Sequence, residues 1–217
     1  MGTKNYFLVN FILKFNYLVT GKYIMSKNVL LVNGHQYWEI AKGELNKSLI
    51  ELASRVLTQK GYTIKTTNVE EDYQSQEEVE KILWADVIIF QMPVYWFSFP
   101  WKFKKYIDEV YMTGYGTLFN DDGRTRSDPN KKYGSGGLLQ GKKYMLSTTW
   151  NAPLEAFEEP EQIFEGRNVD EVFFYFHKAQ QFVGMEYLPA FACYDVLKNP
   201  NIDNDFKRYE AHLNQFF

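Results

Sequence analysis

Three loops of this 217-residue chain carry residues whose types and spacing could do chemistry, and each follows an apolar run. The first comes after Val29–Val32, which stops at Asn33-Gly34; Gly43 then opens an amphipathic segment with Leu45, Leu49, Leu52, Ala53 and Val56 on one face. A buried strand feeding a glycine-containing loop and a helix start is a site for an anionic phosphate. The unpaired N–H groups of the first turn and the positive end of the helix dipole both point at it. Neither GxGxxG nor GxxxxGK(S/T) is present, so the dinucleotide fingerprint and the Walker loop do not fit. The second loop is Pro93-Val94-Tyr95-Trp96-Phe97, where proline fixes the backbone and three aromatics follow. The third is Thr149-Trp150-Asn151-Ala152-Pro153. Two aromatic-bearing loops beside a phosphate loop describe a pocket for a flat heterocycle attached to a phosphate, for which a flavin is the natural candidate. The bland alternatives are an ordinary strand-to-helix connection and tryptophan-rich loops at a protein interface.

The elements that must position these loops are legible in the periodicity. Strands are expected at Val29–Val32, Tyr62–Val69, Asp86–Met92, Lys143–Thr149 and Tyr187–Cys193. Helices are expected from Gly43, at Gln76–Leu83, from Pro100 to about Tyr111, at Val169–Val183 and at Asp203–Phe217. The near-continuous apolar run DVIIFQM marks a central parallel strand buried on both faces. Such alternation gives an α/β, flavodoxin-like, doubly wound five-stranded parallel sheet with helices on both faces, whose ligands bind beyond the carboxyl ends of the strands. The segment Thr113–Gly141 breaks the rhythm, and a loop of that length usually serves function.

Composition narrows the partners. A net charge of −3 gives no basic footprint for nucleic acid. Cys193 is the only cysteine, which excludes an intrachain disulfide and fits a reducing compartment; His35, His177 and His212 are too scattered for a local metal motif, so no metal is expected. Aromatic residues make up 18% of the chain, enough to line a pocket for a flat ligand or to fill an ordinary core. Residues 1–24 are apolar but interrupted by Asn10, Lys14 and Asn16. They read as an N-terminal extension ahead of a 25–217 domain, with translation starting naturally at Met25, rather than as stable membrane insertion.

Three long strings then carry a specific resemblance: LWADVIIFQMPVYWFSFPWKFKKYIDEV, GRTRSDPNKKYGSGGLLQGKKYMLSTTWNAPLEAF and FHKAQQFVGMEYLP. From Met25 to Phe217 the chain resembles the modulator of drug activity B family of NAD(P)H:quinone oxidoreductases, in the DT-diaphorase-like flavodoxin-fold group. The resemblance implies a cytoplasmic homodimer with bound FAD that reduces quinones by two electrons, using NADPH or NADH. It implies an FAD diphosphate loop at Ala41, Lys42, Gly43, Glu44, Leu45, Asn46, Lys47 and Ser48, and an isoalloxazine loop at Val94, Tyr95, Trp96 and Phe97. Tyr133 occupies a third contact, and Thr149, Trp150, Asn151 and Ala152 a fourth. Tyr133 is also the catalytic candidate, steadying charge on the quinone oxygen or donating a proton to it. Ala41 departs from the hydroxyl residue common in relatives, and Val94 from a frequent glycine.

Several residues keep two readings at this stage. Lys42 is a phosphate partner or a solvated loop charge; His35 reaches a phosphate or is a surface histidine; His177 belongs to the core or a dimer interface rather than to catalysis. Arg124 and Arg126 meet the phosphates of the nicotinamide dinucleotide or pair with Asp121 and Asp122. The rival to a reductase is a non-enzymatic flavodoxin-like electron carrier or redox-sensing module, against which the weak charge and the long Thr113–Gly141 insertion count.

Overall fold

The computed structural model describes residues 27–125 and 127–217, so the expectations for residues 1–24 and for Arg126 lie outside the described residues. Five parallel strands, β1 Asn28–Asn33, β2 Thr63–Asn68, β3 Val87–Pro93, β4 Lys143–Thr149 and β5 Glu186–Cys193, form one sheet in the order β2-β1-β3-β4-β5. That is the flavodoxin-like order, so the expected fold class holds. β3 lies between β1 and β4, and all seven of its residues are buried, as its unbroken apolar run requires.

Side chains alternate between two cores. Leu30, Val32, Ile88, Phe90, Met92 and Leu146 face one side, where α2 (Ser75–Trp84) and α3 (Trp101–Thr113) supply Val79, Ile82, Phe103 and Tyr106. Val29, Leu31, Val87, Ile89 and Met145 face the other. There α1 (Glu44–Gln59) contributes Leu49, Leu52, Ala53 and Val56, and the C-terminal helix Ile202–Phe216 contributes Tyr209 and Leu213. Much of the aromatic surplus is spent in the first core: Phe90 packs edge-on against Phe103 and Phe176 with ring centroids 5.7 and 5.4 Å apart. That core also holds a carboxylate. Glu78, 2% exposed, accepts from Thr67 Oγ1 (2.6 Å), Tyr106 Oη (3.0 Å) and Lys81 Nζ (2.6 Å), so its charge is buried but fully paired.

One expectation about the later helices is corrected, and one short helix was not foreseen. A four-residue helix, α4 (Glu155–Glu158), follows the third candidate loop. The helix expected over Val169–Val183 is two pieces, α5 (Val169–Val172) and α6 (Phe174–Phe182), with the C-terminal helix numbered α7. Asn168 and Glu171 cap α5 reciprocally, a capping box too short-range to fix where the helix stops. Phe173 leaves helical geometry (φ −93°, ψ 25°) and is fully buried, its ring stacked on Phe99 at 5.5 Å. Burying that ring outweighs one turn of helix continuity.

The long insertion folds on itself at the amino end of the sheet. Asn120 N–H donates to Gly136 O (3.0 Å), Leu138 N–H to Leu118 O (2.9 Å) and Leu139 N–H to Val183 O (3.0 Å). Gly137 seats it: a Cβ there would lie 2.3 Å from Val183 C and 2.4 Å from Gly184 N, both backbone atoms that cannot swing aside. Gly137→Ala should therefore destabilise the fold by about 1–3 kcal/mol through overpacking. A thermal melt should show the midpoint falling by roughly 2–10 °C; an unchanged midpoint would mean that this contact is not tight.

Candidate functional site

The loop after β1 is built around a buried histidine. His35 N–H donates to Asn33 Oδ1 (3.1 Å), and His35 Nε2 donates to the Ala41 carbonyl at 2.8 Å, closing a loop whose tip is the tight turn Trp38–Ala41. The surface reading of His35 is corrected: it is only 6% exposed, lines the cleft along this loop, and lies directly beneath Gly43, where a Cβ would fall 2.5 Å from its ring. Gly43 has φ 87°, a left-handed conformation that suits glycine, and it is the N-cap of α1. With no side chain to cap the helix, the first-turn N–H groups and the positive dipole end stay open to a ligand oxygen. The donor set fits a phosphate. Two exposed lysines, Lys42 and Lys47, flank it and make no ion pair among the described residues; Glu44, in the first turn, opposes an anion there.

Of the residues expected in the phosphate loop, Asn46 has a different task. Its side chain is buried, accepting from Gln91 Nε2 at 2.8 Å and donating to Thr149 Oγ1 at 3.3 Å. That tie joins the start of α1 to β3 and to the end of β4. Thr149 also accepts the Val94 N–H through its carbonyl at 3.0 Å, so three loops are fastened to one another at the carboxyl end of the sheet.

The loop after β3 is a tight turn in which Tyr95 and Ser98 exchange backbone hydrogen bonds of 2.8 and 3.1 Å. Its two central residues, Trp96 (φ 51°) and Phe97 (φ 64°), are left-handed without being glycine, which costs on the order of 1–3 kcal/mol each. Trp96 is 95% exposed. The N–H groups of Trp96, Phe97, Asn151 and Ala152 donate to no backbone acceptor among the described residues. They are available to the polar edge of a flat ring. Tyr95 is pinned by its hydroxyl to Gln36 O (3.0 Å); burial, with Glu70 adding to it, pushes its pKa up to about 12, so it stays a donor.

These loops border three adjoining clefts that share Val94 and Asn151. One runs along the phosphate loop past Gly43 and Leu45 to Val196, Leu197 and Ile202 beyond β5. A second lies between Trp96-Phe97 and Trp150–Pro153, with Ile163 and Phe164 as its floor. The third, of about 660 Å³, opens toward Trp38 and Trp101. Trp150 offers the second cleft little free face: it is 3% exposed, its Nε1 donates to Thr148 Oγ1 (2.8 Å), and Phe157 and Phe164 pack against its ring. Sequence reading missed Val196, Leu197 and Ile202, although the rule that ligands lie beyond strand ends applies equally to β5.

Tyr133 is not brought to these clefts within one chain. It is 70% exposed, with its ring 5.6 Å from Phe182, the last residue of α6, and with the Arg124 guanidinium 5.4 Å above it. The chain turns from Phe182 into the first residue of β5, so Tyr133 stands at the opposite end of the sheet. Arg124 pairs with Asp122 (2.5 Å). His177 is mostly buried: Nδ1 accepts from Tyr144 Oη at 2.5 Å, and Nε2 lies 3.2 Å from Asp170 Oδ1. Nδ1 is thus engaged and Nε2 makes no hydrogen bond, and the ring contributes to none of the three clefts.

Comparison with known proteins agrees with this architecture. The family described as a flavodoxin-like fold matches residues 27–216. NADPH:quinone oxidoreductase MdaB of Haemophilus influenzae is 46% identical over 88% of this chain and 99% of its own length. A Schizosaccharomyces pombe protein of unassigned activity is 49% identical over 87% of this chain and 96% of its own. Among solved structures, a Klebsiella pneumoniae protein assigned as a quinone reductase superposes with a TM-score of 0.69 at 25% identity, covering 88% of this chain and 83% of that one. General stress protein 14 of Treponema denticola, solved in complex with FMN, shares the fold at a TM-score of 0.59 and 21% identity, over 87% and 98% of the two chains. The chain belongs to the flavodoxin-like fold family and, within it, to the modulator of drug activity B family.

Proposed function

We propose that this protein is an FAD-dependent NAD(P)H:quinone oxidoreductase that admits NADPH or NADH and then a quinone to one aromatic pocket in turn. The observation that carries the reading is the junction of clefts at Val94 and Asn151, beside a helix N-terminus with no side-chain cap. A bound flavin would supply the redox chemistry, net transfer of a hydride from the nicotinamide to the quinone, with the second proton of the hydroquinone drawn from solvent. The chain's own residues bind and orient. The first turn of α1, with Lys42 and Lys47, holds phosphate; Trp96, Phe97 and the Asn151-Ala152 backbone hold the flat ring. The diphosphate of FAD, rather than the monophosphate of FMN, is favoured by the resemblance and by the continuation of the phosphate cleft to Val196, Leu197 and Ile202. Steady NADPH oxidation with menadione tests the activity, and its absence in flavin-loaded protein would favour the electron-carrier reading.

Cofactor identity is checked by saturating the protein with each flavin, denaturing it and chromatographing what is released. FAD should be retained in preference; retention of FMN instead would refute the assignment. Replacing Glu44 by glutamine removes the negative charge from the first turn. It should tighten FAD binding roughly two- to fivefold, an effect that shrinks with added salt. Titration of flavin-free protein at two ionic strengths measures both.

We further infer a cytoplasmic homodimer in which Tyr133 of a second copy completes the pocket. Two observations support it. Tyr133 stands at the opposite end of the sheet from the clefts of its own chain, and Met112, Tyr115, Phe174 and Tyr175 leave large apolar side chains exposed. No helix among the described residues is long and apolar enough to cross a membrane. Tyr133→Phe should keep the flavin yet slow quinone turnover by about tenfold, the loss of one hydrogen bond in the transition state. Flavin content and steady-state rates measure this, and light scattering at micromolar concentration should show a dimer. A monomer with full activity would exclude the shared site.

A further inference from the structure

The third cleft adjoins the two assigned to the phosphate and the flat ring, sharing Val94 and Asn151 with both, and extends beyond them to residues that neither contains, Gln36, Trp38 and Trp101 among them. It lies between the turn Trp38–Ala41 and the start of α3, walled by Trp38, Trp96 and Trp101. None of its lining residues is charged. Lys102, next to the lining Trp101, is held by Glu70 at 2.8 Å, and Glu39 accepts from Tyr37 Oη at 3.0 Å, so no cation lines the cleft itself. One buried polar group breaks the apolar lining. Gln36 is 6% exposed, and its side-chain Oε1 has no hydrogen-bond partner. A buried amide left unpaired costs free energy unless a ligand group completes it, and a flip presents either its N–H or its C=O. The site thus asks for an apolar body with an oxygen at its edge, uncharged, reached from the flavin cleft past Trp96 and Asn151.

We propose that this cleft receives the apolar chain of the quinone acceptor, with Gln36 meeting a ring-edge oxygen, so that chain-bearing quinones are preferred to bare ring quinones. The proposal rests on the reductase reading above and narrows its substrate class. Trp38 is the specificity-determining wall, since it lines this cleft and neither of the other two.

The test compares decylubiquinone with menadione on the flavin-loaded full chain at saturating NADPH. Trp38→Ala should raise the KM for decylubiquinone about tenfold relative to that for menadione, the scale expected when part of an apolar subsite is lost. Trp38→Phe, which keeps a ring in place, should restore the ratio to within about twofold of the parent. Decylubiquinone should also quench tryptophan emission, with the largest loss of amplitude in Trp38→Phe. An unchanged KM ratio overturns the proposal. So does a rise confined to the KM for NADPH, measured in a second series at saturating quinone, which would make the cleft a nicotinamide-dinucleotide site, or a shift from dimer to monomer in Trp38→Ala, which would make it an interface. If the parent protein reduces neither quinone, the reductase reading fails, and the quenching amplitudes alone decide whether the cleft takes the chain.

Discussion

Asn46, Gln91 and Thr149 meet below the clefts, and the relative placement of every candidate loop follows from that contact. Asn46 stands on the first turn of α1, Gln91 inside β3 and Thr149 at the end of β4, and all three are at most 5% exposed. Each partner is separated from Asn46 by many residues of chain, so the bonds report tertiary closure rather than local propensity. In a buried setting, loss of one member strands the others without water to replace it. The turn before α1 and the two aromatic loops are therefore held in fixed register by a buried side-chain contact, two of whose members, Asn46 and Thr149, also line the cleft beside α1.

A second constraint is conformational. The turn at Trp96 and Phe97 places two bulky residues where glycine or asparagine would be cheaper, and the surrounding structure holds them there through Tyr95 and Ser98. In return, a large aromatic ring stands in solvent at the mouth of two clefts, while adjacent backbone N–H groups remain open. Strain, exposure and unspent donors coincide at one turn. That coincidence is what the proposed role of this loop rests on.

How much of this was legible in the sequence depended on the range of the interaction. DVIIFQM declared itself a central strand because burial on both faces leaves no polar alternation to hide it, and Pro93 and Pro100 bounded the following turn by their own stereochemistry. The loops after β1, β3 and β4 were therefore placed correctly. What escaped was decided by contacts across the chain. Asn46 looked like a loop polar residue because nothing local reveals Gln91. His35 looked like surface because Gly43, which creates the space for its ring, lies eight positions later. Phe173 sat within a good helical pattern until the ring of Phe99 claimed it. Tyr133, set among glycines, carries no local sign of which end of the sheet its loop will reach.

The stacking of His35 beneath Gly43 has an evolutionary consequence. Any side chain arriving at position 43 must both adopt a left-handed backbone and enter the volume of the imidazole. Once position 35 holds a smaller residue, the clash with the ring is gone, and asparagine or aspartate meets the remaining backbone penalty most cheaply. The two positions are thus open to drift in one order only, 35 before 43. While histidine stands at 35, position 43 is confined to glycine; a smaller residue at 35 would relieve the contact with the ring and leave the left-handed backbone as the remaining restriction.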